Sequence, residues 1–232
     1  MKIPLFDIDG TLLKSGAGSK AHRQAFDAAF TEIYGVTASV DEIVTHGKID
    51  KQIILEVLDL HDISEEAAKQ KIDAAIEFMV VYFNEHANPV ESVPEIGVDQ
   101  TLLQLHRLGL PLGLLTGNIK RIAHQKLRNA DLVHYFSFGA FGDQAWRRVD
   151  LVSLALAELR QQSDEGIQLT DLVIVGDTPL DITCAIDAGI ESVGVVTDNY
   201  SKKELQDAGA SLVIENMQDD RSIIIDYFGR AV

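Results

Sequence analysis

The chain has 232 residues, of which 46% are hydrophobic, and its formal net charge is −16 at pH 7. This length and apolar content suffice for one large globular domain, or for a core domain with an insertion. The acidic balance argues against nucleic-acid and anionic-membrane partners, because both are bound through basic surfaces.

The first predicted element is a short buried strand that ends in two carboxylates. The apolar run from Ile3 leads into Asp7 and Asp9, one residue apart, and Gly10 follows at once. If the chain turns at Asp9-Gly10, one carboxylate lies at the sheet edge and the other above it. The first could then attack an electrophile while the second transfers a proton, and two adjacent acids also suit Mg²⁺. The alternative is a strand followed by a solvated acidic turn, since Asp-Gly is a common turn dipeptide.

The next segment has helical patterns and no strand signal between residues 19 and 88. Lys14 to Ser19 contains two glycines and two serines, which is typical of a flexible connection, and Asn88 to Pro94 is a proline-punctuated return. These two connections are interpreted as hinges. Helices are predicted at residues 19–34, 50–60 and 64–85, with Ser64 as an N-cap, and a short helical turn at 40–44. Residues 15–90 are therefore predicted to form an all-helical cap domain, inserted into a core domain of residues 1–14 and 91–232.

From Pro94 onward, helical and strand patterns alternate. The predicted strands are nearly continuous apolar runs, with little alternation of apolar and polar residues. Such strands, repeated with helices between them, imply a doubly wound parallel sheet with helices on both faces, so the predicted fold class is α/β. Strands are predicted at residues 110–115, 136–141, 172–175, 192–196 and 211–214, and helices at 97–108, 119–129, 150–161 and 182–188.

Two later strands also end in polar turns that contain glycine. Thr116-Gly117-Asn118 follows the second predicted strand, where a hydroxyl and free backbone N–H groups could hold an anionic oxygen. In so acidic a chain, such a site needs local positive charge. The alternative is that Thr116 only caps a strand-helix turn. Because parallel strands bring their carboxyl ends to one edge, we expect this turn to lie near Asp7.

The third such turn is Gly176-Asp177-Thr178-Pro179-Leu180-Asp181, which follows another apolar strand. Its two carboxylates could join a metal site. Thr178 and Asp181 could equally cap the helix that begins there, and both interpretations can hold together.

These motifs together resemble those of the haloacid dehalogenase superfamily of phosphohydrolases. Asp7-Ile8-Asp9-Gly10-Thr11-Leu12 is similar to its first motif, Thr116 to its second, and Gly176-Asp177 with Asp181 to its fourth. The resemblance implies that Asp7 attacks phosphorus, that Asp9 is the general acid and base, and that Thr116 positions the phosphoryl group. It also implies that Mg²⁺ is bound by Asp7, the backbone carbonyl of Asp9 and Asp177, with Asp181 orienting ligands or binding through water. The implied substrate contacts are Gly10, Thr116, Gly117 and Asn118.

The sequence departs from the pattern of the superfamily in the third motif. Most relatives have a Lys there, often as Lys-Pro, and this chain contains no Lys-Pro. The segment from Phe138 to Leu151 resembles a variant in which Arg replaces the Lys, with Arg148 as the better match and Arg147 as the second. A guanidinium can pair with both a phosphate oxygen and the attacking carboxylate. The alternative is two surface arginines at a helix start.

The helical insertion resembles the small cap of the phosphoglycolate phosphatase and β-phosphoglucomutase branch. Thr45-His46-Gly47-Lys48-Ile49-Asp50 matches a Gly-Arg/Lys-x-Asp element of that cap, so Lys48 is a candidate substrate contact. The alternative for Lys48 is a solvated lysine at a helix start. The remaining reactive side chains are interpreted as structural or surface groups: His22, His46, His106, His124, His134 and the inert, buried Cys184.

The single cysteine excludes an intrachain disulfide. Asp7 and Asp9 make the first apolar stretch unlike a signal peptide, and no apolar run approaches the roughly 18 to 20 residues of a membrane helix. A soluble, cytoplasmic protein is therefore expected, whereas the sequence does not indicate an oligomeric state.

The resulting hypothesis is a Mg²⁺-dependent phosphatase that hydrolyses a small phosphorylated metabolite, either phosphoglycolate-like or a sugar phosphate, through an aspartyl-phosphate. The nearest alternative is a phosphosugar mutase with the same intermediate. A dehalogenase and a phosphonate hydrolase are disfavoured because Asp9 supplies an acid and base that they do not require, although Lys48 keeps the phosphonate hydrolase open. A non-catalytic binding protein on this fold is the remaining alternative.

Overall fold

The protein is built on a six-stranded, fully parallel sheet. A computed structural model describes residues 2–15, 20–162 and 166–229. The strands, in chain order, are β1 (Ile3–Phe6), β2 (Gly113–Thr116), β3 (Phe138–Phe141), β4 (Leu172–Gly176), β5 (Glu191–Val195) and β6 (Leu212–Ile214). Their spatial order is β3-β2-β1-β4-β5-β6. The strand that carries Asp7 is therefore central, between β2 and β4, and the predicted doubly wound α/β fold is confirmed.

Helices cover both faces of the sheet because the strands present apolar side chains to both sides. Along β1, Ile3 and Leu5 pack with residues of the helices on one face, whereas Phe6 packs with residues of the helices on the other. The helices of the core are α5 (Val98–Arg107), α6 (Lys120–Asn129), α7 (Asp150–Gln162), α8 (Pro179–Ala188), α9 (Lys202–Asp207) and α10 (Arg221–Gly229). Within the part of the chain that the structure describes, no helix is long and apolar enough to cross a membrane.

A helical insertion lies between β1 and β2, as the sequence predicts, and most residues of one apolar cluster belong to it. Its helices are α1 (Lys20–Ala29), which continues as a π-helical turn (Phe30–Tyr34), α2 (Asp50–Leu60), α3 (Glu65–Gln70) and α4 (Ile72–His86), with short 3-10 turns at Val40–Glu42 and Pro89–Glu91. Two core residues near the start of α6, Ile119 and Ile122, belong to the same apolar cluster. The insertion is therefore packed directly on the core.

The two connections of the insertion run side by side. The N–H of Lys14 donates to the carbonyl of Val93 at 2.9 Å, and the N–H of Glu95 donates to the carbonyl of Leu12 at 2.9 Å. Residues 16–19 of the first predicted hinge lie outside the described residues. The domain boundaries at residues 15 and 90 stay a prediction.

The prediction of one long helix at residues 64–85 is wrong, because the helix is divided at Lys71 into α3 and α4. Lys71 has φ −110° and ψ 3°. The Tyr34 hydroxyl donates to the carbonyl of Ala68 at 3.0 Å, and Lys71 Nζ donates to the carbonyl of Ile33 at 2.9 Å. The Tyr34 bond occupies the carbonyl that residue 72 would use in a continuous helix, so tertiary contacts divide the element. Helices α9 and α10 were not predicted at all.

The core also touches the insertion through Trp146, the only tryptophan in the chain. Its ring lies 4.7 Å from Nζ of Lys51 in α2 and 4.5 Å from Nζ of Lys69 in α3. Such cation-π contacts are weak where they are exposed. They nevertheless place a natural fluorophore at the boundary between insertion and core.

Candidate active site

The carboxyl ends of the three central strands meet below the insertion. Asp7 follows β1, Thr116 ends β2 and Asp177 follows β4, and β1 pairs with both neighbours. A cavity of about 1020 Å³ lies between this edge and the insertion. Of the predicted site residues, the lining includes Asp7, Asp9, Lys48, Gly117, Asn118, Arg148 and Asp177. The structure thus brings together polar groups that are far apart in the chain.

Three buried carboxylates form one cluster at the floor of the site. Asp7, Asp177 and Asp181 each offer an oxygen, and these oxygens lie within 4.8 Å of one another. Burial raises the pKa of Asp7 to about 6, and burial together with the carboxylates of Asp181 and Asp7 raises the pKa of Asp177 to about 8. Carboxylate oxygens at this spacing suit a hard divalent cation such as Mg²⁺, which would relieve the repulsion between them. The donor set therefore fits the predicted metal.

Gly10 and Thr11 bring the first motif close to Asp177. Gly10 has φ +86°, and a Cβ at this position would lie 2.3 Å from Asp177 Oδ2, so only glycine fits the turn. The Thr11 hydroxyl donates to Asp177 Oδ1 at 3.2 Å. Gly10 thus allows the turn and the close approach of Asp177; this structural requirement is separate from its predicted contact with substrate.

Arg148 supplies the positive charge beside the cluster. Its Nη2 lies 3.2 Å from Asp7 Oδ2 and also pairs with Asp181, while its Nη1 donates to the carbonyl of Gly47 in the insertion at 2.9 Å. Burial alone would lower the pKa of Arg148, but Asp181 and Asp7 raise it above its ordinary value, so the guanidinium is charged. Arg147 is exposed. The structure therefore places Arg148, and not Arg147, beside Asp7.

Asp181 has a second role that the sequence analysis also considered. Its Oδ2 accepts hydrogen bonds from the N–H of Thr178 at 3.0 Å and from the Thr178 hydroxyl at 2.7 Å. These bonds cap α8, whose first turn contains Pro179. Asp181 therefore caps the helix and belongs to the acidic cluster at the same time.

Asp9 points away from the three clustered carboxylates. Its Oδ2 accepts from Nζ of Lys126 at 2.7 Å and from Nδ2 of Asn118 at 2.9 Å. Burial would raise the pKa of the Asp9 carboxyl, but the ammonium and the amide outweigh it and lower the pKa below the ordinary value. Among the predicted metal ligands, Asp9 is thus the one whose carboxylate lies outside the cluster, which leaves its backbone carbonyl as the group implied by the resemblance.

Lys126 was not predicted, although the sequence contains a signal for it. It lies on α6 among the buried residues Ile122, Ala123 and Leu127, and only 1% of its side chain is exposed. A lone lysine on the apolar face of a helix needs a buried partner, because an unpaired buried charge is costly. The partner here is Asp9.

The loop after β2 joins the phosphate-binding candidates to the insertion. The Thr116 hydroxyl accepts from Asn118 Nδ2 at 2.8 Å and also hydrogen-bonds the Asp7 carboxyl. A Cβ at Gly117 would lie 2.0 Å from the carbonyl oxygen of Lys48, so the insertion approaches this backbone as closely as glycine allows. Asp50 completes the junction, because its N–H donates to the carbonyl of Gly117 at 2.8 Å and its Oδ2 accepts from the N–H of Ile119 at 2.8 Å.

Lys48 of the insertion lines the cavity as expected, and its ammonium pairs with Glu56 on α2. His22, interpreted as structural or surface, also lines the cavity and is buried. Cys184 is buried, and burial raises the pKa of its thiol to about 12, which agrees with an inert thiol.

The fold and the site together indicate an enzyme with a buried acidic centre. Clustered carboxylates and a paired guanidinium lie at the carboxyl edge of a parallel sheet, and a helical insertion lies above them. The family model for haloacid dehalogenase-like hydrolases matches residues 4–195. The chain therefore belongs to the haloacid dehalogenase-like hydrolase family, and the predicted hydrolase class is confirmed.

Several similar proteins have names that indicate the same class of enzyme. Phosphoglycolate phosphatase 1 of Pseudomonas aeruginosa is 25% identical over 220 residues, which cover 94% of this chain and 78% of the relative. The phosphoglycolate phosphatase of Neisseria meningitidis is 29% identical over 194 residues, covering 82% and 78%. Among solved structures, a predicted phosphatase from Clostridium acetobutylicum has a TM-score of 0.71 at 21% identity, covering 97% of this chain and 98% of the other. CbbY from Rhodobacter sphaeroides, in complex with phosphate, has a TM-score of 0.68 at 20% identity, covering 94% and 96%.

Proposed function

We propose that the protein is a Mg²⁺-dependent phosphatase that hydrolyses a small phosphomonoester through a phosphorylated Asp7. The observation that carries the proposal is the division of the carboxylates into two sets. Asp7 lies in a buried cluster beside Arg148, whereas Asp9 reaches the same cavity from a separate network. One carboxylate is thus placed to attack and another to handle protons.

In the first step, an Asp7 oxygen attacks phosphorus and the ester oxygen leaves. Asp9 donates a proton to that oxygen, and in the second step it takes a proton from the water that hydrolyses the aspartyl-phosphate. Arg148 offsets charge on the attacking carboxylate and the phosphoryl group, and Thr116 with the backbone at Gly117 holds the phosphoryl oxygens. Mg²⁺, held by Asp7, Asp177 and the backbone carbonyl of Asp9, would supply further positive charge at the phosphoryl group.

The substrate class follows from the cavity and from the relatives. The insertion covers the sheet edge and is bonded to it at Gly117 and Arg148, so it acts as a cap that admits small molecules and excludes folded proteins. Both relatives described above are named phosphoglycolate phosphatases. A small phosphorylated acid of the phosphoglycolate type is therefore the favoured substrate, ahead of a sugar phosphate.

A phosphate-release assay tests the proposal. Purified protein is given 4-nitrophenyl phosphate with Mg²⁺ or with EDTA, and then a panel containing phosphoglycolate, glycerol phosphate and hexose phosphates. We expect Mg²⁺-dependent release of phosphate, with the highest kcat/KM for a small phosphorylated acid. Interconversion of hexose phosphates without net phosphate release would replace the phosphatase by a mutase, and inactivity towards every ester would contradict an enzymatic role.

A further inference from the structure

Lys126 is a buried cation that the proposed reaction does not yet use. Its ammonium contacts Asp9 Oδ2 at 2.7 Å, Asp9 Oδ1 at 3.0 Å, Asn118 Oδ1 at 2.7 Å and His22 Nδ1 at 3.3 Å. An ammonium has three N–H donors, and these three partner residues account for all of them. Lys126 is thus fixed from three sides.

Lys126 can act on the substrate only through its partners. Asp9, Asn118 and His22 line the cavity, whereas Lys126 is not among its lining residues and its side chain is 1% exposed. The ammonium lies behind the carboxylate of Asp9, which is itself 28% exposed. A direct contact between Lys126 and a phosphate in the cavity is therefore not part of its role.

The two oxygens of Asp9 are held unequally. Oδ2 accepts both Lys126 at 2.7 Å and Asn118 Nδ2 at 2.9 Å, whereas Oδ1 has only the longer Lys126 contact at 3.0 Å. Asn118 Nδ2 also donates to the Thr116 hydroxyl at 2.8 Å, so the amide, whose Oδ1 accepts from Lys126, cannot rotate without breaking three bonds. This arrangement fixes the plane of the carboxylate and leaves Oδ1, with its single longer contact, as the oxygen better placed to exchange a proton.

The cap contributes one of the three partners. His22 lies on α1 of the insertion, with Nε2 3.0 Å from Asp50 Oδ2, and Asp50 in turn binds the loop at Ile119. His22 therefore lies between the Lys126 ammonium, on its Nδ1 side, and the Asp50 carboxylate, on its Nε2 side. Withdrawal of the cap would remove His22 from Lys126 and loosen the ammonium.

We propose that Lys126 is a positioning residue that holds Asp9 in its proton-transfer orientation, and that docking of the cap through His22 completes this arrangement. The inference rests on the proposed phosphatase function and adds to it a link between cap closure and the acid and base of the reaction. A misplaced Asp9 would slow the two steps in which a proton moves. It would leave attack by Asp7 on an ester with a good leaving group unaffected.

The leaving group therefore provides the test. Lys126→Met replaces the ammonium by an uncharged chain of similar length, and Lys203→Met makes the same change at an exposed position on α9 that pairs with Asp207. The two substrates are 4-nitrophenyl phosphate, whose leaving group needs no proton, and the best alkyl phosphate of the panel above. For Lys126→Met we expect kcat/KM on the alkyl phosphate to fall on the order of 100-fold, and on the aryl phosphate by less than about 3-fold. Lys203→Met should match the wild type on both.

Stopped-flow measurement supplies a readout that a merely structural role would not change. If Asp9 is misplaced, hydrolysis of phosphorylated Asp7 becomes slow, so Lys126→Met should release a burst of nitrophenolate before a reduced steady state. In an Asp9→Asn background, Lys126→Met should then cause little further loss, because the lysine acts through that carboxylate. Equal losses on both substrates without a burst, or fully additive losses, would overturn the proposal.

A second variant covers the case in which Lys126→Met does not fold. His22→Gln removes the imidazole and with it the contacts to Lys126 and Asp50, and we expect the same preference for aryl over alkyl phosphate with a smaller loss, on the order of 10-fold. Equal losses of His22→Gln on both substrates would overturn the link to the cap. An inactive wild type would instead refute the proposed function itself.

Discussion

Replacement of Arg148 is the perturbation for which the structure gives the clearest magnitude. The guanidinium contacts Asp7, Asp181 and the carbonyl of Gly47, and it is 7% exposed. Arg148→Met keeps much of the side-chain volume and removes the charge and every hydrogen bond. The matched control is Arg147→Met, since Arg147 is the adjacent residue and is exposed.

Two effects of Arg148→Met can be estimated separately. A charged hydrogen bond at a phosphoryl site contributes about 2–3 kcal/mol to transition-state stabilisation, which corresponds to roughly a 30- to 150-fold loss of kcat/KM. Removing one partner of a buried ion pair costs about 3–5 kcal/mol of unfolding free energy. This second cost should be largest in EDTA, because bound Mg²⁺ can compensate Asp7 in place of the guanidinium.

The assay combines hydrolysis of 4-nitrophenyl phosphate with denaturant unfolding in Mg²⁺ and in EDTA. We expect Arg148→Met to lose roughly 30- to 150-fold in kcat/KM. We also expect its free energy of unfolding to fall more in EDTA than in Mg²⁺. Arg147→Met should remain within about 0.5 kcal/mol of the wild type, as exposed substitutions usually do. Small and equal effects of the two variants would refute the reasoning, because the positive charge at the phosphoryl group would then come from elsewhere.

Three further predictions follow from the same site. Gly117→Ala should lower kcat/KM at least about 10-fold and shift Trp146 fluorescence, because its Cβ would meet the Lys48 carbonyl and displace the cap; unchanged fluorescence and activity would contradict this contact. Lys48→Ala should impair a phosphorylated acid more than 4-nitrophenyl phosphate, and an unchanged ratio of the two kcat/KM values would exclude Lys48 from the site. The pKa of Asp7 is raised to about 6 and that of Asp177 to about 8. At a pH between the ordinary pKa of an aspartate and these raised values, the folded metal-free protein therefore binds more protons than the unfolded chain. Its Tm in EDTA should therefore fall as the pH rises from 5 to 8, and a rising Tm would contradict the raised pKa values of these two carboxyls.

The sequence was sufficient for the features that depend on local pattern. Short apolar runs followed by polar turns located Asp7, Thr116 and Asp177 at strand ends, and the parallel sheet then brings them together. Arg148 could be ranked above Arg147 by its spacing to α7. Gly10 has the positive φ that suits the predicted turn directly after Asp9.

Features that depend on tertiary contacts could not be predicted. The division at Lys71 arises from Tyr34, which is distant in the chain, and helical periodicity contains no trace of that contact. The network of Lys126 joins residues from α1, α6 and the loop after β1, so only the folded chain shows that His22 belongs to the site. A lysine on an apolar helix face was the one available signal, and it does not identify its partner.

The central claim is that Asp7 becomes phosphorylated, and acid quenching during turnover tests it most directly. Wild-type protein is mixed with 4-nitrophenyl phosphate and Mg²⁺, quenched, digested and analysed by mass spectrometry, with Asp7→Asn as the matched control. The amide of this variant is nearly isosteric with the carboxylate but is a poor nucleophile. We predict an acid-stable, base-labile phosphate on the peptide that contains Asp7 in the wild type, and neither phosphate nor turnover in folded Asp7→Asn. Wild-type turnover by Asp7→Asn, or phosphate on a different residue, would contradict the account.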